Sequence, residues 1–245
     1  MKDNFSTKSD LYAKFRPSYP QRFYDYLNDL VNTKDAAWDC GTGTGQVAVA
    51  LAKSFTQVYA SDLSKSQIEV AVQKSNISYS VQQAEKTNYS ADQFDLITVA
   101  QAIHWFDFEA FYREVRRTLK PSGLFCVMGY GNLQISEEIN PILSVFYAET
   151  IGSYWDIERK YIDEKYSTIP FPFKEIETPK FTLSLHWTFE HLIGYLNTWS
   201  AVKHYISKEK VNPVNEVYRK LKDQWGEDET KQIRFPMLLR IGRLA

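Results

Sequence analysis

Cys40 and Cys126 are the only cysteines in a chain of 245 residues. Each stands beside an apolar stretch, so a disulfide framework is excluded and the paired spacing of a metal site is missing. Both read as small buried hydrophobes. Long hydrophobic runs are also lacking. Nothing approaches the roughly 20 apolar residues of a membrane span, and the opening MKDNFSTKSD has no apolar core of signal-peptide length. The expectation is a cytoplasmic protein with no membrane partner. Charge of one sign is not in excess either: 29 Lys and Arg against 30 Asp and Glu leave a net charge of -1. No basic surplus is there to attract a polyanion, and the local cluster Arg113, Arg116 and Arg117 reads as the wet face of a helix. Nucleic acid is therefore not an expected partner. With 44% hydrophobic residues, the chain can bury one good core and carry a smaller accessory region. A single domain over residues 1–245 follows, monomeric or homodimeric.

What the chain does have is DCGTGTGQ at Asp39 to Gln46, directly after the apolar stretch Ala36 to Trp38. Glycines at 41, 43 and 45 suit a tight strand-to-helix turn whose backbone comes close to a ligand. Asp62 closes the next apolar stretch, Gln57 to Ser61. An acid about 20 residues past such a turn suits a ribose with two hydroxyls to satisfy. The dinucleotide fingerprint wants glycines at relative positions 1, 3 and 6, and Gln46 stands at the sixth. A nicotinamide enzyme, or a turn that merely links a strand to a helix, stays open as an alternative at this point.

Strand and helix signals then alternate. Val47 to Lys53 fits a helix opening at the turn, and Ser64 with Gln67 forms a capping box before Ile68, Val70, Ala71 and Val72. Ile77, Tyr79 and Val81 alternate with polar residues. Phe94 to Ala100 is a continuous run suited to a sheet centre. Phe108, Phe111, Tyr112, Val115 and Leu119 share a helical face, KPSG ends that helix, and Leu124 to Met128 gives a fifth strand. The order predicts an α/β fold with a doubly wound, mostly parallel sheet, its ligands at the carboxyl ends of the strands.

Residues 36–128 thus form the expected cofactor-binding core, preceded by residues 1–35 as an amino-terminal lid and helix. Residues 129–174 lack a clear sheet strand. Ile142, Leu143, Phe146, Tyr147, Ile151, Tyr154 and Trp155 there form one long helical stripe, and the stretch is rich in aromatics. An aromatic cap of this kind would exclude water from a reacting centre, and plain packing is the other reading. In residues 175–245, Phe181 to Leu185 and Phe235 to Ile241 read as two last strands. Helices carrying Leu192, Leu196 and Trp199, then Val214, Val217, Tyr218 and Leu221, separate them.

The acid at Asp39, two residues before the first glycine, and the third glycine at relative position 5 resemble class I S-adenosylmethionine-dependent methyltransferases. FRPSYP at Phe15 to Pro20, preceded by Tyr12, and QAIHWFD at Gln101 to Asp107 resemble the trans-aconitate methyltransferase-like, small-molecule branch. WDIERKYID at Trp155 to Asp163 and TWSAVKHY at Thr198 to Tyr205 look familial as well. The resemblance implies a seven-stranded Rossmann-like methyltransferase fold with an antiparallel edge strand, and S-adenosylmethionine as cofactor.

It also implies roles. The amides around Gly41 and Gly43 would approach the methionine part of the cofactor and Asp39 its ammonium group, with Gly45 also among the cofactor-binding residues. Asp62 and the adjacent Leu63 would meet the ribose, Ala84 and Glu85 the adenine, although Gln83 replaces the family's frequent acid. Gln101 would touch the methionine end through its backbone. His104, just past a strand end, is the candidate catalytic base, needed only when the acceptor carries a proton. His186, His191 and His204 are weaker candidates. Tyr12, Arg16 and Tyr19 form a candidate lid that binds a carboxylate, with Trp105 beside the substrate. The expected reaction is methyl transfer to a small molecule, a carboxylate or another oxygen nucleophile. A protein side chain as acceptor, or a cofactor-binding partner without catalysis, is the alternative.

Overall fold

A strand covered on both faces needs apolar residues at nearly every position. Ala36–Cys40 (β1) and Phe94–Ala100 (β4) meet that requirement and lie side by side. In the computed structural model, which describes residues 15–244, β1 also pairs in parallel with Gln57–Asp62 (β2), which pairs with Ile77–Val81 (β3). On the other side β4 pairs in parallel with Leu119–Tyr130 (β5). Three further strands follow: Lys174–Glu175 (β6), Thr182–Trp187 (β7) and Lys231–Arg243 (β8). The sheet order is β3-β2-β1-β4-β5-β8-β6, with β7 also paired to β8. All three contacts of β8 with β5, β6 and β7 are antiparallel. The expected seven strands and antiparallel edge are present, with the two-residue β6 added. The order reverses between β1 and β4, the place where open α/β sheets take their ligands.

Alternate residues of the central strands enter different cores. Leu96, Leu124 and Cys126 join a cluster with Phe23, Leu27 and Leu51. Ile97, Phe125 and Val127 join the other, with Trp38, Phe111 and Val115. Helices therefore cover both faces: Gln21–Leu30 (α1) and Gln46–Leu51 (α2) on one, Phe108–Thr118 on the other. Cys40 and Cys126 are both buried and free. No helix among the described residues is long and apolar enough to cross a membrane.

Four expectations need correction. The helix after Asp62, Lys65–Glu69 (α3), stops before Val70, and Val70 and Val72 are exposed. The Ser64 side chain makes no capping bond; its backbone amide instead donates to Asp62 Oδ1 at 2.8 Å. KPSG is not a linker between elements. Helix Phe108–Thr118 (α4) ends just before it, and β5 already begins at Leu119, with a register shift against β4 between Phe94 and Leu96.

The stripe from Ile142 to Trp155 is not one helix. It breaks into Ile139–Val145 (α5), a π-turn over Phe146–Thr150 and a 3₁₀ turn over Gly152–Tyr154. Eight residues of straight helix would separate Tyr147 and Trp155 by about 12 Å. Their ring centroids are 4.9 Å apart, and both pack on Trp199, at 5.8 and 5.6 Å. Closing that aromatic cluster forces the chain to fold back. Lys160–Asp163 (α6), Phe189–Leu196 (α7), Ser200–Glu209 (α8) and Val214–Trp225 (α9) complete the described helices.

Candidate active site

The turn from β1 to α2 has Gly41 at φ +69° and Gly43 at φ +56°, left-handed values that L side chains rarely adopt. A Cβ on Gly41 would lie 2.7 Å from the Ala102 methyl, so the turn packs directly on the chain leaving β4. Gly43 differs: the nearest atom to its Cβ position is Gln67 Oε1 at 3.9 Å. A side chain at 43 would project into the cavity that this turn lines. The Gly43 amide donates to Asp62 Oδ2 at 2.9 Å, which ties the turn to the end of β2. Asp62 thus accepts from two backbone amides, one on each oxygen, and a carboxylate oxygen can accept more than one bond.

Asp39 sits beneath the same turn, 1% exposed. Its Oδ2 accepts from the Thr42 hydroxyl at 2.6 Å and the Ala48 amide at 3.1 Å, and its Oδ1 from the Thr98 hydroxyl at 2.8 Å. Burial pushes its carboxyl up to about 6, the three hydrogen bonds pull it back, and the Asp62 charge adds a smaller push. The carboxylate therefore organises the glycine turn from below while still lining the cavity. Thr42 and Thr98 were not legible as site residues, since ordinary threonines carry no spacing signal.

At the end of β4 the backbone turns sharply. Gln101 has φ +54°, a left-handed value in a residue other than glycine, the kind of local cost that clusters at functional sites. Its amide donates to Met128 O at 2.9 Å and its Nε2 to Tyr130 O at 3.0 Å, which fix the bend against β5. The cavity bounded by these elements measures about 160 Å³. Asp39, Gly41, Gly43, Asp62 and Leu63 line it. Arg16, Tyr19, Gln101 and Trp105 line it as well; Tyr12 lies outside the described residues. Ala84, Glu85 and Gly45 do not line it. Ala84 is buried in the second core, the Glu85 carboxylate accepts from the Asp107 amide at 3.2 Å, and a Cβ on Gly45 would meet the Tyr79 hydroxyl.

A second, narrower cavity of about 60 Å³ adjoins the first, with Arg16, Gln101, Trp105 and Tyr130 common to both. Arg16 donates to the Tyr130 hydroxyl at 3.3 Å and to Thr198 O at 3.4 Å, with its guanidinium 5.4 Å from the Tyr195 ring centroid. His104 lines the second cavity. Burial first, and the Arg159 charge second, hold its imidazole down to about 3, so it is neutral at pH 7. Trp155, Asp156, Arg159 and Trp199 line the same space. Arg159 lies 4.6 Å over the Trp155 ring and donates through Nε to the Tyr147 hydroxyl at 2.8 Å. WDIERKYID carries no spacing that singles out Asp156 or Arg159; the available signal is that Asp156 directly follows Trp155 and Arg159 stands four residues after it. His186, His191 and His204 line neither cavity. Among the described residues, no group of three or more His, Cys, Asp or Glu could hold a metal ion.

Comparison with known proteins agrees with this geometry. A family model described as a methyltransferase domain matches residues 38–127. A protein of Dictyostelium discoideum named as a methyltransferase is 33% identical over 249 residues, covering 98% of this chain and 95% of its own. A fission yeast protein named as an uncharacterized methyltransferase is 24% identical, over 96% of this chain and 93% of its own. Among solved structures, a type II methyltransferase from Anaeromyxobacter dehalogenans superposes with a TM-score of 0.87 at 33% identity. That match covers 94% of this chain and 98% of the other.

Proposed function

Because the chain belongs to the class I S-adenosylmethionine-dependent methyltransferases, we propose that it methylates a small molecule on a carboxylate or another oxygen nucleophile. The cofactor is S-adenosylmethionine, which supplies a methyl group on a sulfonium to a nucleophile aligned behind it. The residues around the larger cavity fit it. Gly43 leaves room where a side chain would intrude, Asp62 offers carboxylate oxygens to a pair of hydroxyls, and Asp39 offers a negative charge to an ammonium group. Gln101, locked between β4 and β5, presents its backbone at the junction of the two cavities.

The observation that carries the acceptor class is the small second cavity, which shares Arg16 with the larger one. A guanidinium at that junction can hold an anionic nucleophile in two parallel hydrogen bonds and orient it. The walls of Trp105, Trp155 and Trp199 exclude water. A carboxylate is already ionised at pH 7 and needs no proton removed. That agrees with His104, whose imidazole, held down to about 3, is too weak a base to take a proton at that pH. His104 therefore suits a hydrogen-bonding role toward the acceptor better than that of a general base. The small volume disfavours a protein side chain, whose backbone would need an open groove.

The test uses S-adenosylmethionine carrying a labelled methyl group, the purified protein and a cell extract separated into small-molecule and protein fractions. Label in the small-molecule fraction that is released by mild base, as a methyl ester would be, is the expected result. Label confined to protein would overturn the acceptor class.

A further inference from the structure

Two residues that line the second cavity each carry a buried polar atom with no hydrogen-bond partner among the described residues: His104 Nδ1 and Asp156 Oδ2. Folded proteins rarely leave such atoms unmatched, since each carries its full desolvation cost without return. Neighbouring charges do not answer the need. The His204 Nδ1 lies 3.9 Å from Asp156 Oδ2, but it is bonded to Tyr154 O at 2.9 Å. The bonds of Arg159 go to other groups: Nε to the Tyr147 hydroxyl and Nη2 to Asn132 Oδ1 at 2.6 Å, with Asp163 Oδ1 3.6 Å from Nε. Asp156 Oδ2 thus has no donor among the described residues. His104, neutral and 7% exposed, can donate or accept according to its tautomer.

We propose that Asp156 and His104 recognise a hydrogen-bond donor on the acceptor, so that the enzyme selects a small acid carrying a hydroxyl or ammonium group besides the carboxylate that is methylated. The proposal rests on the carboxylate reading above. A hydroxyl would donate to Asp156 and pair with His104; an ammonium would donate to both. The Asp156 charge also acts against competitors. A second carboxylate placed against it meets like charge, and a plain alkyl chain leaves both atoms unmatched.

The experiment compares butyrate, 3-hydroxybutyrate and 3-aminobutyrate as acceptors, following base-labile label from the labelled methyl donor. In the wild type, the hydroxy or amino acid should exceed butyrate in kcat/KM by about tenfold or more. Asp156→Leu should shrink that ratio to within about threefold, and His104→Phe, which keeps a ring beside Trp105, should lower it as well should the first variant fail to fold. Equal rates for all three acids in the wild type overturn the proposal alone, as does a preference that survives in both variants. Absence of base-labile product from any acid, while S-adenosylhomocysteine still binds, overturns the carboxylate reading and this proposal with it.

Discussion

At the scale of single residues, Asp39 makes the sharpest pH prediction. Burial raises its carboxyl from the ordinary 3.8 to about 6 in the fold. An ammonium group in the cavity gains only from the ionised form, so donor affinity should fall as pH drops from 7 to 5, by less than about tenfold per unit. Calorimetric titration across that range checks it, and Asp39→Asn should flatten the profile. Stability of the unliganded protein should run the other way. The folded state holds this proton more tightly than the unfolded one, so the contribution of Asp39 is most favourable below 3.8 and declines as pH rises to about 6. Gly43→Ala places a Cβ at φ +56°, a cost of about 1 to 2 kcal/mol, and also projects it into the cavity. Its expected outcome is a modest loss in thermal stability with a larger loss of donor binding; binding equal to wild type would remove Gly43 from the site. Asp39, the glycines and Asp62 were legible because a few residues of one turn carry their spacing. Tyr130, Asp156 and Arg159 were not, because tertiary folding alone brings them to the second cavity with Arg16.

Elements are held in place by few polar anchors, and Asp95 is one of them. Its carboxylate, 2% exposed, accepts from the Asp35 and Ala36 amides at 2.9 Å each and pairs with Lys120 at 2.7 Å. It thereby joins the start of β1 to β4 and β5. Burial alone would raise its pKa, but bonds from Lys120, the Thr33 hydroxyl and the Ala36 amide outweigh burial and hold it below 3.8. A depressed carboxyl contributes stability above its unfolded value that is lost as pH falls below 3.8. Asp95→Ala should cost about 2 to 4 kcal/mol by denaturant unfolding and remove part of the acid sensitivity in that window. A cost under about 0.5 kcal/mol would show that the strand start does not depend on it. Central strands and α4 were readable because burial on both faces and a 3.6-residue period each leave a pattern. The stripe from Ile142 to Trp155 misled because its period is helical while its aromatics converge on Trp199, a long-range contact to which no local period responds. Val70 and Val72 misled in the same way, by continuing an apolar pattern past the end of α3 into exposed positions.

For the whole molecule, the sheet order and the β1–β4 reversal put the glycine turn, Asp62 and Gln101 around one cavity at the carboxyl ends of the strands. Binding there should stabilise the entire fold. S-adenosylhomocysteine at 100 times its dissociation constant adds about 2.7 kcal/mol, which for a domain of this size raises Tm by about 5 to 11 °C. A shift near zero at saturation would mean that the cavity belongs to a part that opens independently of the rest. The central claim is that this cavity holds the methyl donor through Asp62. Calorimetric titration of S-adenosylhomocysteine into wild type and a folded Asp62→Ala variant tests it most directly. The account predicts one site, weakened about 10- to 150-fold by loss of a charged hydrogen-bonding partner; equal affinity in the two proteins would contradict it.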